Sequence, residues 1–207
     1  MFLFDFHHHH ENQFGIYNKP LVEDFYEGYY SVGIHPKDIS NNWKSTLNFL
    51  KIQAEKSNCL TIGECGLDGL IEVNLDLQKE VFKEHIILAN YLKKPLTIHC
   101  VKRFSELIPF KKTSSVPMII HGFNKKQNIF REMIQHGFYL SFGKALLQNV
   151  SLQNSFKECP IDQFFLETDD SQISILEIYQ KAAELKGLSL EEIQNQIKFN
   201  LENITRI

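Results

Sequence analysis

Six short apolar runs in this 207-residue chain each deliver a side chain able to ligate a metal or carry a proton. Phe2-Leu3-Phe4-Asp5-Phe6 leads into His7, Val32-Gly33-Ile34 into His35, and Leu60-Thr61-Ile62-Gly63 into Glu64. Leu96-Thr97-Ile98 leads into His99, Met118-Ile119-Ile120 into His121, and Phe164-Phe165-Leu166 into Glu167 and Asp169. Imidazole and carboxylate without thiolate suit Zn²⁺, Mn²⁺ or a similar divalent ion. On a strand, period two places Asp5, His7 and His9 on one face, where two histidines form half of a metal site. Asp5 is then expected to accept a ring N–H and fix a tautomer. The set is large enough for two ions about 3.5–4 Å apart.

Residues so distant in sequence meet only if the fold gathers the ends of their strands. Strands are expected at 2–6, 29–34, 60–63, 96–98, 118–120, 138–142 and 164–166, apolar on both faces as in a parallel sheet covered by helices. Helical stripes run over 76–92, over 128–136 before Gly137, and over 175–186 before Gly187; Ser189 with Glu192 opens a last helix. The class is α/β: one domain over 1–207, a TIM-type β/α barrel whose active site lies at the C-terminal strand ends. Such barrels need about 250 residues, and the gap from His9 to Gly33 is too short for a full helix, strand and helix. The expectation is a shortened barrel of seven strands with one early βα unit missing.

The ordered set Asp5-x-His7-x-His9, Gly33-Ile34-His35-Pro36, Gly63-Glu64-Cys65-Gly66-Leu67-Asp68, Ile98-His99-Cys100, His121-Gly122-Phe123 and Glu167-Thr168-Asp169 resembles the TatD family of metal-dependent hydrolases. The resemblance implies a divalent-metal centre and phosphodiester hydrolysis of the deoxyribonuclease kind, often 3′-to-5′ exonuclease activity. It implies His7, His9, Glu64, His99, His121 and Asp169 as ligands of two divalent ions (Zn, Mg or Mn), with Glu64 bridging. The chain departs from the family in Val101-Lys102-Arg103 after the fourth motif and in Asp170-Ser171 after Asp169, both positions that bear on substrate contact.

Metal-activated water, with a pKa near about 7, is the nucleophile this chemistry needs. Asp169 and Glu64 are then the catalytic carboxylates, Asp169 taking the proton, with Glu167 and Asp5 supporting the ligands from behind. Net charge is −3, which speaks against a generic basic nucleic-acid binder. Yet Lys37, Lys102, Arg103, Lys125, Lys126 and Lys144 all closely follow strand ends and form a cationic mouth; Lys102, Arg103, Lys125, Lys144 and His35 are the expected substrate contacts, and Phe104 and Phe123 the base-stacking surfaces. His85 and His136 read as surface or interface histidines, Cys65 and Cys100 as packing thiols, and Asp68 as a loop carboxylate or one that supports a ligand from behind. The partner is DNA or a small phosphodiester, with no membrane and no obligate protein partner. Four scattered cysteines, no transmembrane run and no signal peptide point to the cytoplasm. Two other classes fit part of the pattern: a small-molecule amidohydrolase or deaminase, which often bridges its metals by a carboxylated lysine where Glu64 stands, and an inactive metal-binding module.

Overall fold

The computed structural model describes residues 2–11, 13–23 and 25–205. Eight parallel strands follow one another in sequence order: β1 Asp5–His8, β2 Gly15–Asn18, β3 Tyr30–Val32, β4 Cys59–Asp68, β5 Leu96–Val101, β6 Met118–Ile120, β7 Tyr139–Phe142 and β8 Phe164–Leu166. The helices α1 Trp43–Ala54, α2 Leu75–Leu92, α3 Phe104–Lys111, α4 Gln127–Gln135, α5 Ala145–Gln148, α6 Val150–Glu158, α7 Ile175–Lys186 and α8 Leu190–Thr205 lie between and after them. This is the TIM-type α/β architecture the strand spacing implies.

The strand count is eight, not seven. The unexpected member, β2, is four residues long and reads Gly-Ile-Tyr-Asn, too short a hydrophobic run to stand out from a loop. What is trimmed is helical. Among the described residues no helix lies between β1 and β2 or between β2 and β3. A four-residue strand rises about 13 Å, and the six residues 9–14 reach about 20 Å when extended, so the return to β2 closes without one. Tyr26 helps cover this flank, packing on Tyr17 with ring centroids 4.7 Å apart and donating its hydroxyl to the Glu11 carbonyl.

The barrel closes between β8 and β1 by a single bridge, His8 to Asp169. Asp169 N–H donates to the His7 carbonyl at 2.9 Å and His9 N–H to the Asp169 carbonyl at 3.2 Å. Below that bridge the seam is tied by side chains: buried Asp5 accepts from the Thr168 N–H (3.0 Å), the Thr168 hydroxyl (2.6 Å) and the Gln13 amide. The layer between barrel and helices is filled by Phe142, Phe156, Phe164 and similar fully buried side chains.

Helix ends follow their capping chemistry. Asn74 caps α2 through Asp76 and Leu77 N–H, Gly187 ends α7 at φ 65°, and Ser189 and Glu192 form the reciprocal box that opens α8. No helix among the described residues is long and apolar enough to cross a membrane.

Candidate metal centre

Two β-bulges aim the central residues. Between Asp5 and His8, β1 spends three steps against two on β2, and between Ile62 and Cys65, β4 does the same against β5. An extra residue in one strand bends it and redirects the side chain there, so His7 and Glu64 are both presented from irregular positions. Glycines make the approach possible at β4: a Cβ on Gly33 would stand 2.6 Å from the Glu64 carbonyl oxygen, and Gly63 holds φ 151°. Asp169 adopts φ 55° without being glycine, a left-handed conformation that costs energy and is retained where the surroundings over-determine it.

The six sequence-distant side chains converge at the C-terminal strand ends. Glu64 lies at the middle: its Oε1 is 2.8 Å from His99 Nδ1, 2.9 Å from His121 Nε2 and 3.3 Å from His35 Nε2, and its Oε2 is 3.6 Å from His7 Nε2. Asp169 Oδ1 lies 3.7 Å from His7 Nε2 and 3.4 Å from His9 Nε2. Three groups of ligand atoms lie within 4.8 Å of one another: His7, His9 and Asp169; His7, Glu64 and His121; His35, Glu64 and His99.

Burial alone would raise the Glu64 carboxyl, but the charge and hydrogen bond of His121, with the His35 and His7 rings close by, hold it well below the usual range. Burial lowers His121 in turn, and Glu64 and Glu167 more than reverse it, so its imidazole stays charged well above the ordinary value. Asp169 is pushed up by burial and pulled down further by His9, His121 and His7, to about 2.

The donor set fits divalent ions. Two ligands at about 2.1 Å on a tetrahedral ion stand about 3.4 Å apart. The His7–Glu64, His7–Asp169 and His9–Asp169 separations fall there, beyond hydrogen-bond length. Both ring nitrogens of His7 are buried with no hydrogen-bond partner, a costly arrangement unless something else occupies the lone pair.

Behind these groups stand residues that hold them. Asp68 accepts from His99 Nε2 at 3.0 Å and from Leu70 N–H at 2.8 Å. It ends strand β4 rather than lying in a loop. Glu167 is fully buried, accepts from Gly122 N–H and faces His121 Nδ1 at 3.7 Å. Asn18 at the end of β2 donates to Glu64 Oε2 at 3.1 Å; it escapes sequence reading along with its strand, and the one signal that could have found it is the eight-strand requirement of the barrel itself.

Three expectations are corrected. Asp5 receives no ring N–H; its oxygens are saturated by His7 N–H, Thr168 and Gln13, so it secures the barrel seam. His85 is not on the surface but fully buried in α2. Phe104 and Phe123 are core, 6% and 1% exposed and packed edge-on against each other, so they offer no stacking platform. Arg103 donates to Glu106 at 3.1 Å and lies against Gly69. Among the other cations, Lys144 shares a groove with Glu167 and Asp169, and Lys37 shares one with His9, His35 and Glu64. Lys102 stands exposed beside the mouth, and Lys125 lies over the Phe104 ring. Cys65 and Cys100 are buried thiols pushed up by burial, Cys100 to about 12.

The family profile described as TatD related DNase matches residues 16–206. The chain belongs to the TatD-related DNase family. The uncharacterized metal-dependent hydrolase YabD of Bacillus subtilis (strain 168) is 28% identical to this TatD-family chain over 206 residues, covering 90% of it and 81% of YabD. The 3′-5′ ssDNA/RNA exonuclease TatD of Cronobacter sakazakii is 29% identical over 152 residues, 70% of this chain and 58% of that protein. The crystal structure of YjjV, a TatD homolog from Escherichia coli K12, superposes with a TM-score of 0.75 at 18% identity, covering 90% of this chain and 80% of that one. That likeness establishes a shared fold, missing helices notwithstanding. The TatD-family match begins inside β2, so the Asp5–His9 segment, which carries His7 and His9 of the cluster, lies ahead of the matched stretch.

Proposed function

We propose that this TatD-family metal-dependent hydrolase cleaves phosphodiester bonds of nucleic acid strands, working with two divalent ions. His7, His9 and Asp169 would hold one, His99 and His121 the other, with Glu64 between the two groups. The observation that carries this reading is the Glu64 carboxylate itself: one oxygen faces His99 and His121, the other faces His7, and Asp169 closes the far side. When bound, divalent ions supply a nucleophilic water at neutral pH and neutralise charge on the phosphoryl oxygens.

The chain's own residues do the rest. Asp169, whose side chain is 37% exposed toward the mouth, stays ionised and accepts a proton at a carboxylate oxygen. Asp68 and Glu167 orient His99 and His121 from behind, as carboxylates do in metal sites generally. Lys37 and Lys144 hold substrate phosphates in the grooves on either side, with Lys102 and Lys125 at the rim. One sequence relative is named a 3′-5′ exonuclease on single-stranded DNA and RNA, and an open, cation-edged mouth accommodates a single strand end. A bridging glutamate in place of lysine sets this centre apart from the amidohydrolase alternative.

The test is hydrolysis of end-labelled single-stranded DNA and RNA and of a chromogenic phosphodiester by chelated protein given back Mg²⁺, Mn²⁺ or Zn²⁺. Metal-restored cleavage that Asp169→Ala abolishes, with metal content retained, is the expected result. A metal-loaded protein that leaves all three substrates intact would overturn the proposal.

A further inference from the structure

His85 is fully buried in α2, and its two ring nitrogens have unequal partners. Nδ1 lies 2.8 Å from the Val81 carbonyl oxygen, which only accepts, so Nδ1 carries the proton. Nε2 is then bare and accepts the Ile34 N–H at 2.9 Å. Burial lowers this imidazole to about 4, so it is neutral under ordinary conditions. Ile34 follows the end of β3, where the backbone leaves the sheet, and it directly precedes His35.

Two more contacts leave this segment little freedom. Gly33 is pressed against β4, where no Cβ fits, and Pro36 opens a 3₁₀ turn over Pro36–Asp38. Inside that turn Lys37 N–H donates to His35 Nδ1 at 3.0 Å. A neutral His35 therefore carries its proton on Nε2, the atom 3.3 Å from Glu64 Oε1. With one nitrogen occupied by a backbone N–H and the other protonated, this ring has no lone pair left for an ion.

We propose that His85 is a positioning residue, which through the Ile34 backbone holds His35 as a hydrogen-bond donor at the edge of the centre rather than as a ligand within it. Resting on the phosphodiesterase reading, this makes His35 Nε2–H the group that meets a phosphoryl oxygen of the substrate. The β2–β3 connection has no helix among the described residues; α1 packs on β3 itself, and α2 ties the segment beyond it through the hydrogen bond from Ile34 N–H to His85. Loss of the acceptor at 85 leaves the Ile34 N–H buried and unpaired, and the segment carrying His35 relaxes.

The full chain, labelled with ¹⁵N, tests this through long-range proton–nitrogen spectra of its imidazoles, recorded metal-free and with Zn²⁺. His85 is expected as the Nδ1–H form and His35 as the Nε2–H form, with the His35 proton retained when Zn²⁺ binds. His85→Leu removes the acceptor, and His85→Gln restores one at the position of Nε2. In His85→Leu, measured where it is folded, Ile34 amide exchange accelerates, the His35 signature broadens or shifts, and kcat for phosphodiester cleavage falls about ten-fold, the scale of lost supporting contacts in metal sites. His85→Gln recovers most of both. Loss of the His35 Nε2 proton on Zn²⁺ binding would refute the assignment, as would a folded His85→Leu with unchanged His35 resonances and kcat. If the wild-type chain cleaves no phosphodiester, the phosphodiesterase reading fails, while the tautomer and exchange measurements still decide the role of His85.

Discussion

Replacing Thr168 by valine removes one hydroxyl from the barrel seam and keeps the shape. That hydroxyl donates to Asp5 Oδ2 at 2.6 Å, and Asp5 is wholly buried. Because β8 and β1 share a single bridge, little backbone hydrogen bonding stands in reserve. A buried carboxylate deprived of a donor costs about 1–3 kcal/mol. For a chain of this size each kcal/mol moves Tm by about 2–4 °C, so Thr168→Val is expected to melt about 2–12 °C lower by calorimetry. The pH dependence carries a sign. Burial raises Asp5 from its ordinary 3.8 to about 8, opposed by the Thr168 hydroxyl and N–H. A folded state that binds the proton more tightly than the unfolded chain loses stability as pH rises between those two values. Without the hydroxyl the folded value rises further, so the deficit of the metal-free variant widens from pH 6 to pH 9. Zinc titrations should weaken in parallel, because His7 and Asp169 face each other across this seam. Thr168→Ser, which keeps the donor, should recover most of the loss. A valine variant melting within about 1 °C of wild type at all pH values would refute the idea that Asp5 and Thr168 hold the barrel closed.

Glu64→Gln removes the carboxylate shared by His7, His35, His99 and His121, and metal affinity by calorimetric titration should fall by more than the about 10–100-fold typical of supporting residues; near-native affinity would show that Glu64 is not a ligand. The metal-free protein should weaken in acid through His85, whose value drops from 6.5 unfolded to about 4 folded. Stability from this group is complete above pH 6.5 and is lost as pH falls toward 4, a loss of about 3 kcal/mol, and urea melts of His85→Gln should lack that component. Reversing Lys37 or Lys144 to glutamate should raise KM for oligonucleotides far more than kcat and reduce the salt dependence of binding by about one phosphate contact each. Unchanged salt slopes would remove these lysines from the substrate path.

Much of the site is legible in the chain because its ligands sit at the ends of apolar runs, and a parallel barrel gathers strand ends whatever lies between them. His7, His9, Glu64, His99, His121 and Asp169 reach one end of the barrel for that reason. The deficit of length was legible too, but not its nature. Helix loss and strand loss remove similar numbers of residues, and a four-residue strand such as Gly15–Asn18 carries too little hydrophobic pattern to register. Asn18 was hidden with it. Side-chain partners were hidden for another reason: Asp5 could serve a ring or a seam equally well by spacing. Only the approach of β8 to β1 gives it to Thr168. His85 reads as one polar residue on an amphipathic helix until the packing of α2 on β4 turns it inward. Phe104 and Phe123 follow strand ends as a stacking pair would, and the helix layer buries them. Residue type and periodicity thus determined the chemistry and the ring of strands that displays it. Bulges, closure and burial decided which groups touch, because those depend on contacts between segments far apart in the chain.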